Sequence, residues 1–241
     1  KVNAIFEIFV GTSTSPRANV TFGENFTAEA TNGASVAYIY NYADLTVDSA
    51  TLKSDTDWTI HGFGGEQIGE QETTINIKDG TVESTGAAAI YQPQVGGTIN
   101  VSGGTVKGVT GIEIRNGALN VTGGTIIATG GFSASGTPSG GGSTVSGAAV
   151  AVTKYNNNET LTVNISGGKL IAEGDNGHAM YEGYPDSADG KYPEGNELSL
   201  TVSSGEFTGA VDSKNETGFI SGGEFDGMPE SDYIAAGADL Y

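Results

Sequence analysis

The sequence has no cysteine, so neither a disulfide framework nor a thiolate-ligated zinc site is open to it. Histidine is almost as scarce: His61 and His178 are the only two, and an isolated pair without thiols argues against a zinc site. Basic residues are few, with 10 Lys and Arg against 29 Asp and Glu and a formal net charge of −19. A surface that negative repels phosphate backbones and anionic lipid, which argues against nucleic-acid partners. Long apolar runs are missing too. The longest span only a few residues, too short for membrane insertion as a helix. No signal peptide is visible at Lys1, as expected of a mature or trimmed form, and that absence does not bear on export. No helical period persists over ten residues anywhere.

Glycine, in contrast, is abundant, with 39 in 241 residues. It follows no three-residue period, which excludes collagen, and it alternates with regular aliphatic pairs that disordered chains lack. One motif recurs: an apolar residue, Asn or Thr, a second apolar residue, a small polar one, then Gly. It reads Ile75-Asn76-Ile77-Lys78-Asp79-Gly80, Ile99-Asn100-Val101-Ser102-Gly103-Gly104, Leu119-Asn120-Val121-Thr122-Gly123-Gly124 and Val163-Asn164-Ile165-Ser166-Gly167-Gly168. Weaker copies start at Leu45, Leu200 and Phe219. A short second strand follows each glycine, as in Thr81-Val82, Thr105-Val106, Thr125-Ile126 and Lys169-Leu170. A third segment completes the unit: Ala37-Tyr38-Ile39-Tyr40, Ala88-Ala89-Ile90-Tyr91, Ile112-Glu113-Ile114-Arg115, Val150-Ala151-Val152-Thr153 and His178-Ala179-Met180-Tyr181, with Trp58-Thr59-Ile60-His61 in the same frame.

Alternation within each piece is the mark of a strand with one buried face. Three such pieces in fixed order, with glycine at the corners, predict an all-β solenoid: a right-handed parallel β-helix with rungs of roughly twenty residues. Gly80, Gly104 and Gly124 lie 24 and 20 residues apart, whereas Gly124 to Gly168 is 44, meaning two rungs or one rung with a large loop. The expected organisation is one β-helix domain over 1–241. Residues 1–20 form an N-terminal cap centred on Ile5 to Val10, and 226–241 form a C-terminal cap with a short helical turn over Met228 to Ala235 and Leu240-Tyr241 folded over the core. Two loops interrupt the repeat, Gly130 to Gly147 and Tyr181 to Asn196; loops inserted in a regular scaffold are where function tends to sit.

The rungs from about Thr74 onward resemble a group of bacterial secreted or cell-surface β-helix proteins, common in gut Firmicutes. The matching stretches are Ile99 to Gly104, Gly111 to Asn116, Leu119 to Gly124, Gly147 to Val152 and the ending Gly218 to Phe225 followed by Tyr233-Ile234-Ala235. The resemblance covers some two thirds of the chain. It implies a pectate-lyase-like right-handed β-helix at a bacterial cell surface or in the secreted fraction; it carries no agreed activity and fixes no functional residue.

Two outward columns follow from the alternation. In the third strands Tyr40, His61, Tyr91, Arg115, Thr153 and Tyr181 are expected to line up, with Tyr38 and Glu113 in the adjoining column. As rungs stack about 4.8 Å apart, these would form a stripe for an extended glycan, or a set of rings that shield the sheet face by stacking. Tyr40, His61, Tyr91, Glu113, Arg115, Tyr181 and the loop residue Tyr184 are the candidate ligand-binding residues. In the first strands Thr46, Asn76, Asn100, Asn120, Asn164 and Thr201 line up, beside Lys78, Ser102, Thr122 and Ser166. That column reads as a solvated face or an asparagine ladder, with glycan binding the functional alternative.

Catalytic signals are weaker. Glycoside hydrolysis needs two carboxylates at a set separation, and the outward columns hold few. Glu113, Arg115 and His61 are the only strand-borne group of acid, cation and base. Asp55-Thr56-Asp57 and Asp186-Ser187-Ala188-Asp189-Gly190 resemble pieces of a calcium loop without its full ligand run, and each reads as a turn. No cofactor is expected and calcium has only these fragments behind it. The sequons at Asn19, Asn25, Asn120, Asn158, Asn164 and Asn215 follow in part from the repeat itself. The sequence therefore favours a non-enzymatic secreted or surface module that binds extracellular glycan or a host or cell-wall surface. The alternatives are a polysaccharide lyase or glycoside hydrolase, and a structural spacer or fibre segment. Oligomeric state is not readable.

Overall fold

A computed structural model describes residues 4–9, 16–62, 72–134, 142–155, 157, 159–193 and 197–241, with Asp239 described in its backbone alone. The chain is all-β. Its strands run parallel in large curled sheets, solenoid-like, and the only helical segment among the described residues is the 3-10 turn Ser231–Tyr233.

Each repeat contributes three strands. The first strands are Ala18–Phe22, Ala43–Val47, Thr73–Ile77, Gly97–Val101 and Ala118–Val121, and the second are Thr27–Ala30, Ala50–Ser54, Gly80–Ser84, Thr105–Gly108 and Thr125–Ala128. In Leu161–Ala172 and Leu198–Thr208 first and second strand run together, and with Ile220–Phe225 and Ile234–Leu240 at the C-terminal end these two series make one fourteen-stranded sheet. The third strands form an eight-stranded sheet: Ala4–Ile8, Ser35–Ile39, Ile60–Gly62, Ala88–Gln92, Thr110–Ile114, Ala148–Val152, His178–Glu182 and Ala210–Ser213.

Like residues stack on like. Leu45, Ile75, Ile99, Leu119, Val163 and Leu200 form one inward column, and Leu52, Val82, Val106, Ile126, Leu170 and Phe207 a second. On the third strands Ala37, Ile60, Ile90, Ile112, Val150 and Met180 form another. All are buried, and each large aliphatic taken out of water contributes roughly 1.5–3 kcal/mol. The corner between first and second strands demands glycine. Gly104 and Gly124 have φ of 68° and 77°, and a Cβ on them would lie 2.8 Å from the Gly80 carbonyl oxygen and 2.6 Å from that of Gly103.

The 44-residue interval from Gly124 to Gly168 is one rung with a loop, because Ala118–Val121 pairs directly with Leu161–Ala172. At the N-terminal end Ala4–Ile8 is itself a third strand paired with Ser35–Ile39, and Phe6, Phe22 and Phe26 cluster over the first rung. Val10 lies outside the described residues. At the C-terminal end the expected helical turn is present as Ser231–Tyr233, where Tyr233 stacks near Phe219 and donates to Asp212 and to the Ser213 carbonyl. Of the pair expected over the core, Leu240 packs against it, whereas Tyr241 is 75% exposed, held by backbone bonds to Gly223 and Phe225 at the sheet margin.

Candidate functional site

The two outward faces have opposite fates. On the third strands, all five residues of Ser35–Ile39, Ala88–Gln92, Thr110–Ile114 and Ala148–Val152 are buried, so both faces of the sheet are covered at these four strands. The expected alignment needs correction here. Tyr91 is in register with His61 and Glu113, and the column runs Glu7, Tyr38, His61, Tyr91, Glu113, Ala151, Tyr181, Asp212. Tyr40, Arg115 and Thr153 fall two residues further along their strands. The inward column sets this register, because Ile90 pairs with Ile60 and through it with Ala37 rather than with Ile39.

The expected open stripe is closed by the Gly130–Gly147 insertion, whose residues 135–141 lie outside the described ones. Its returning arm crosses the column as a strap. Trp58 Nε1 donates to Ser143 Oγ at 2.7 Å, and Trp58 stacks on Tyr91 with ring centroids 4.4 Å apart. The Tyr91 hydroxyl and Arg115 Nη1 both donate to the Gly142 carbonyl, at 3.1 and 3.3 Å. Glu113, fully buried, accepts from the Thr144 backbone N–H at 2.9 Å, from Thr144 Oγ1 at 2.6 Å and from Thr153 Oγ1 at 3.0 Å. Arg115 lies over the Tyr155 ring at 3.8 Å and donates to the Thr153 carbonyl. Beyond the strap, Phe132 packs on His178 and Tyr181.

Burial governs the charge states here. It pushes the Glu113 carboxyl up, against the pull of the Thr144 and Thr153 donors and Arg115. It draws His61 down to about 4. His61 Nε2 is buried and finds no hydrogen-bond partner among the described residues, as suits a neutral ring packed between Tyr38 and Trp58. Burial also raises the phenols of Tyr91 and, to about 12, Tyr181.

Thus, with His61 beside Tyr91 and packed on Trp58, the structure gathers Tyr91, Glu113 and Arg115 beneath one strap. Tyr181 sits on the far side of it, Tyr40 is half-buried on Phe9 at the N-terminal margin, and Tyr184 is in the following loop beside Tyr192. That loop is pinned from below: Glu182 accepts from Ser213 Oγ, the Asn215 backbone N–H and Asn215 Nδ2, and Lys154 N–H donates to the Tyr192 hydroxyl. Burial raises the Glu182 carboxyl as well. Residues 194–196 of the loop, like Asn158 of the sequons, lie outside the described ones. The calcium-like fragments serve as turns. Asp189 accepts from Ser187 and Lys191, and Asp55 and Asp57 accept from the backbone N–H groups of Asn32 and Trp58. No group of three His, Cys, Asp or Glu residues that could hold a metal ion occurs among the described residues.

The first-strand face is open. Its asparagines form the expected ladder: Nδ2 of Asn100, Asn120 and Asn164 donates to Oδ1 of Asn76, Asn100 and Asn120 at 2.9, 3.0 and 3.0 Å, and Thr201 Oγ1 closes it on Asn164 at 2.7 Å. A parallel column holds Asn19, Asp44, Thr74, Thr98, Ala118, Thr162 and Ser199. At its N-terminal end Arg17 clamps Asp44 through Nε and Nη2, at 2.9 and 2.6 Å, and reaches Glu72 at 3.1 Å. The guanidinium holds the Asp44 carboxyl below its ordinary value. These groups line an open groove of about 450 Å³ over Asp44, Thr46, Thr74, Asn76 and Thr98. A second, of about 410 Å³, shares Glu72, Gly96 and Thr98 with it and runs on past Gly117 and Thr160. The second column and its Arg17 end went unremarked in the sequence, although Thr74-Ile75-Asn76, Thr98-Ile99-Asn100 and Thr162-Val163-Asn164 repeat it in plain text.

Compared with models of protein families, with curated proteins and with solved structures, the chain has no match.

Proposed function

We propose that the chain is a right-handed parallel β-helix of the pectate-lyase type that acts as a non-catalytic secreted or cell-surface module and holds an extended glycan along its open first-strand face. Parallel strands joined by crossovers close right-handed in nearly all known cases, which supports the handedness. The functional reading rests on the double row of hydroxyls and amides. Every rung from Thr74 to Asn164 offers an asparagine amide, and three of the four set a threonine hydroxyl beside it, repeated at the spacing of stacked strands, about 4.8 Å. Asn100, Asn120 and Asn164 each spend one N–H and one lone pair within the ladder, leaving a donor and an acceptor for a ligand. The ladder also fixes the rotamers in advance, so binding loses little side-chain entropy. A polymer of neutral sugars laid along the axis meets the same pair on successive rungs, while the net charge of −19 repels polyanions.

The sheltered carboxylates favour binding over cleavage. Glu113 and Glu182 spend their oxygens on the strap and loop donors, and Asp44 is held by Arg17. The test is calorimetric titration of the protein with a panel of neutral and acidic polysaccharides, followed by mass spectrometry of each mixture. Binding to a neutral glycan that is lost in Thr74→Ala/Thr98→Ala, with the glycan recovered intact, is the expected result. Released oligosaccharides would instead make the chain a lyase or hydrolase. An absence of binding across the panel would leave a spacer.

A further inference from the structure

The second-strand face carries an independent pattern. Outward on successive rungs stand Glu29, Lys53, Glu83 and Lys107, in register and alternating in sign. Two residues earlier on the same strands stand Thr27, Thr51, Thr81 and Thr105, a flat row of small side chains. Within the chain Lys53 bridges to Glu83 at 2.9 Å and Lys107 to Glu173 at 2.9 Å, while Lys53 remains 48% exposed.

The order acid, base, acid, base is self-complementary under a two-fold rotation. With the axis in the face, parallel to the strands and midway between the Lys53 and Glu83 rungs, rung order inverts while position along the strand is kept. Glu29 then faces Lys107 of the other copy, Lys53 faces Glu83, and the reciprocal pairs follow. Threonine lies over threonine with no bulk to hold the faces apart. We infer that this face docks a second copy of the same chain, solenoid axes antiparallel, in an isologous dimer. The match is specific to that partner, since a chance acidic or basic protein would meet alternate rungs of its own sign. The net charge of −19 opposes the approach, but at physiological salt it is screened beyond about 8 Å. A patch four rungs deep is small, so the dimer is weak and forms at high protein concentration.

The test uses two charge variants of the full chain. Lys53→Glu/Lys107→Glu makes the row wholly acidic, and Glu29→Lys/Glu83→Lys makes it wholly basic. Sedimentation equilibrium should show the parent chain dimerising, each variant at least about tenfold weaker, and an equimolar mixture regaining a heterodimer of parental strength. Both variants stay net acidic, so bulk attraction cannot produce that recovery. The uncharged Lys53→Gln/Lys107→Gln, checked for an unchanged melting curve, should weaken the dimer to a lesser degree and guards against misfolding. A parent chain that stays monomeric at about 1 mM, or a mixture that fails to recover, overturns the inference.

Discussion

The third-strand and first-strand faces start from the same repeat and end as opposites. On the third strands the outward residues are mostly large, aromatic or charged, and an insertion has sealed them: Trp58, Tyr91, Glu113 and Arg115 bond to Gly142, Ser143 or Thr144, and His61 is buried against Trp58. On the first strands the outward residues are small and polar, satisfy one another along the stack, and stay open. The difference teaches that side-chain character alone does not mark a binding face in a solenoid. Aromatic rings that would attract a sugar attract the chain's own loop just as well. The covered face should therefore carry stability and the open face function, and substitutions can break that division or sharpen it.

The largest effect is expected at Trp58. Trp58→Ala removes the stack on Tyr91 and the donor to Ser143, leaving a cavity under the strap, and should cost about 3–5 kcal/mol in urea-monitored unfolding. A loss under 1 kcal/mol would mean that the strap is not anchored there.

Next is the response to acid. Unfolded, His61 takes up a proton near 6.5; folded, it does so only at about 4. Between pH 7 and 5 the unfolded chain gains that proton and the native one does not. Stability should fall by about 2 kcal/mol from this residue over that window. Glu113 and Glu182 act in the opposite sense: their raised folded values favour the native state as pH drops toward the ordinary carboxylate range. The contribution is therefore isolated by comparing the parent with His61→Phe, whose urea midpoint should lose less on acidification. Equal slopes would show that His61 is solvated.

Much of this contrast was legible in the residues and part was not. The three-part repeat, the glycine corners and the asparagine ladder are local patterns, and period-two alternation carries them directly. The register of the third strands is different. Ala37-Tyr38-Ile39-Tyr40 and Ala88-Ala89-Ile90-Tyr91 look alike, and matching isoleucine to isoleucine places Tyr40 beside Tyr91. The pairing runs through Ile60, which aligns with Ala37 and not with Ile39, so the step from Tyr91 to His61 is legible but the next one, to Tyr38 and not Tyr40, is hidden. Coverage by the insertion was hidden as well, since nothing in a Gly/Ser-rich loop says which face it crosses. Contacts through backbone carbonyls, such as that of Gly142 to Tyr91 and Arg115, leave no mark on composition.

On the open face the ladder gives a middle-sized effect. Asn120→Ala breaks the bonds to Asn100 and Asn164 and splits the run in two, which should cost about 1 kcal/mol in the same unfolding assay. Asn120→Thr leaves a hydroxyl in the column and should cost less. If both are silent, the amides are solvated independently and the row is not preorganised.

The smallest stability change is the one that separates the two faces most cleanly. Thr98 lies in the column beside the ladder, between Thr74 and Ala118, where both grooves meet. Valine has the same shape and an equal fit to a strand, so Thr98→Val should shift unfolding by no more than about 0.5 kcal/mol. It removes one hydroxyl from the row that would meet a sugar, and affinity for a bound glycan should drop severalfold although the fold is untouched. A variant that binds as well as the parent would move the glycan off this column and onto the amides alone. Matched loss of stability and binding would mean that the open face, like the covered one, is chiefly holding the protein together.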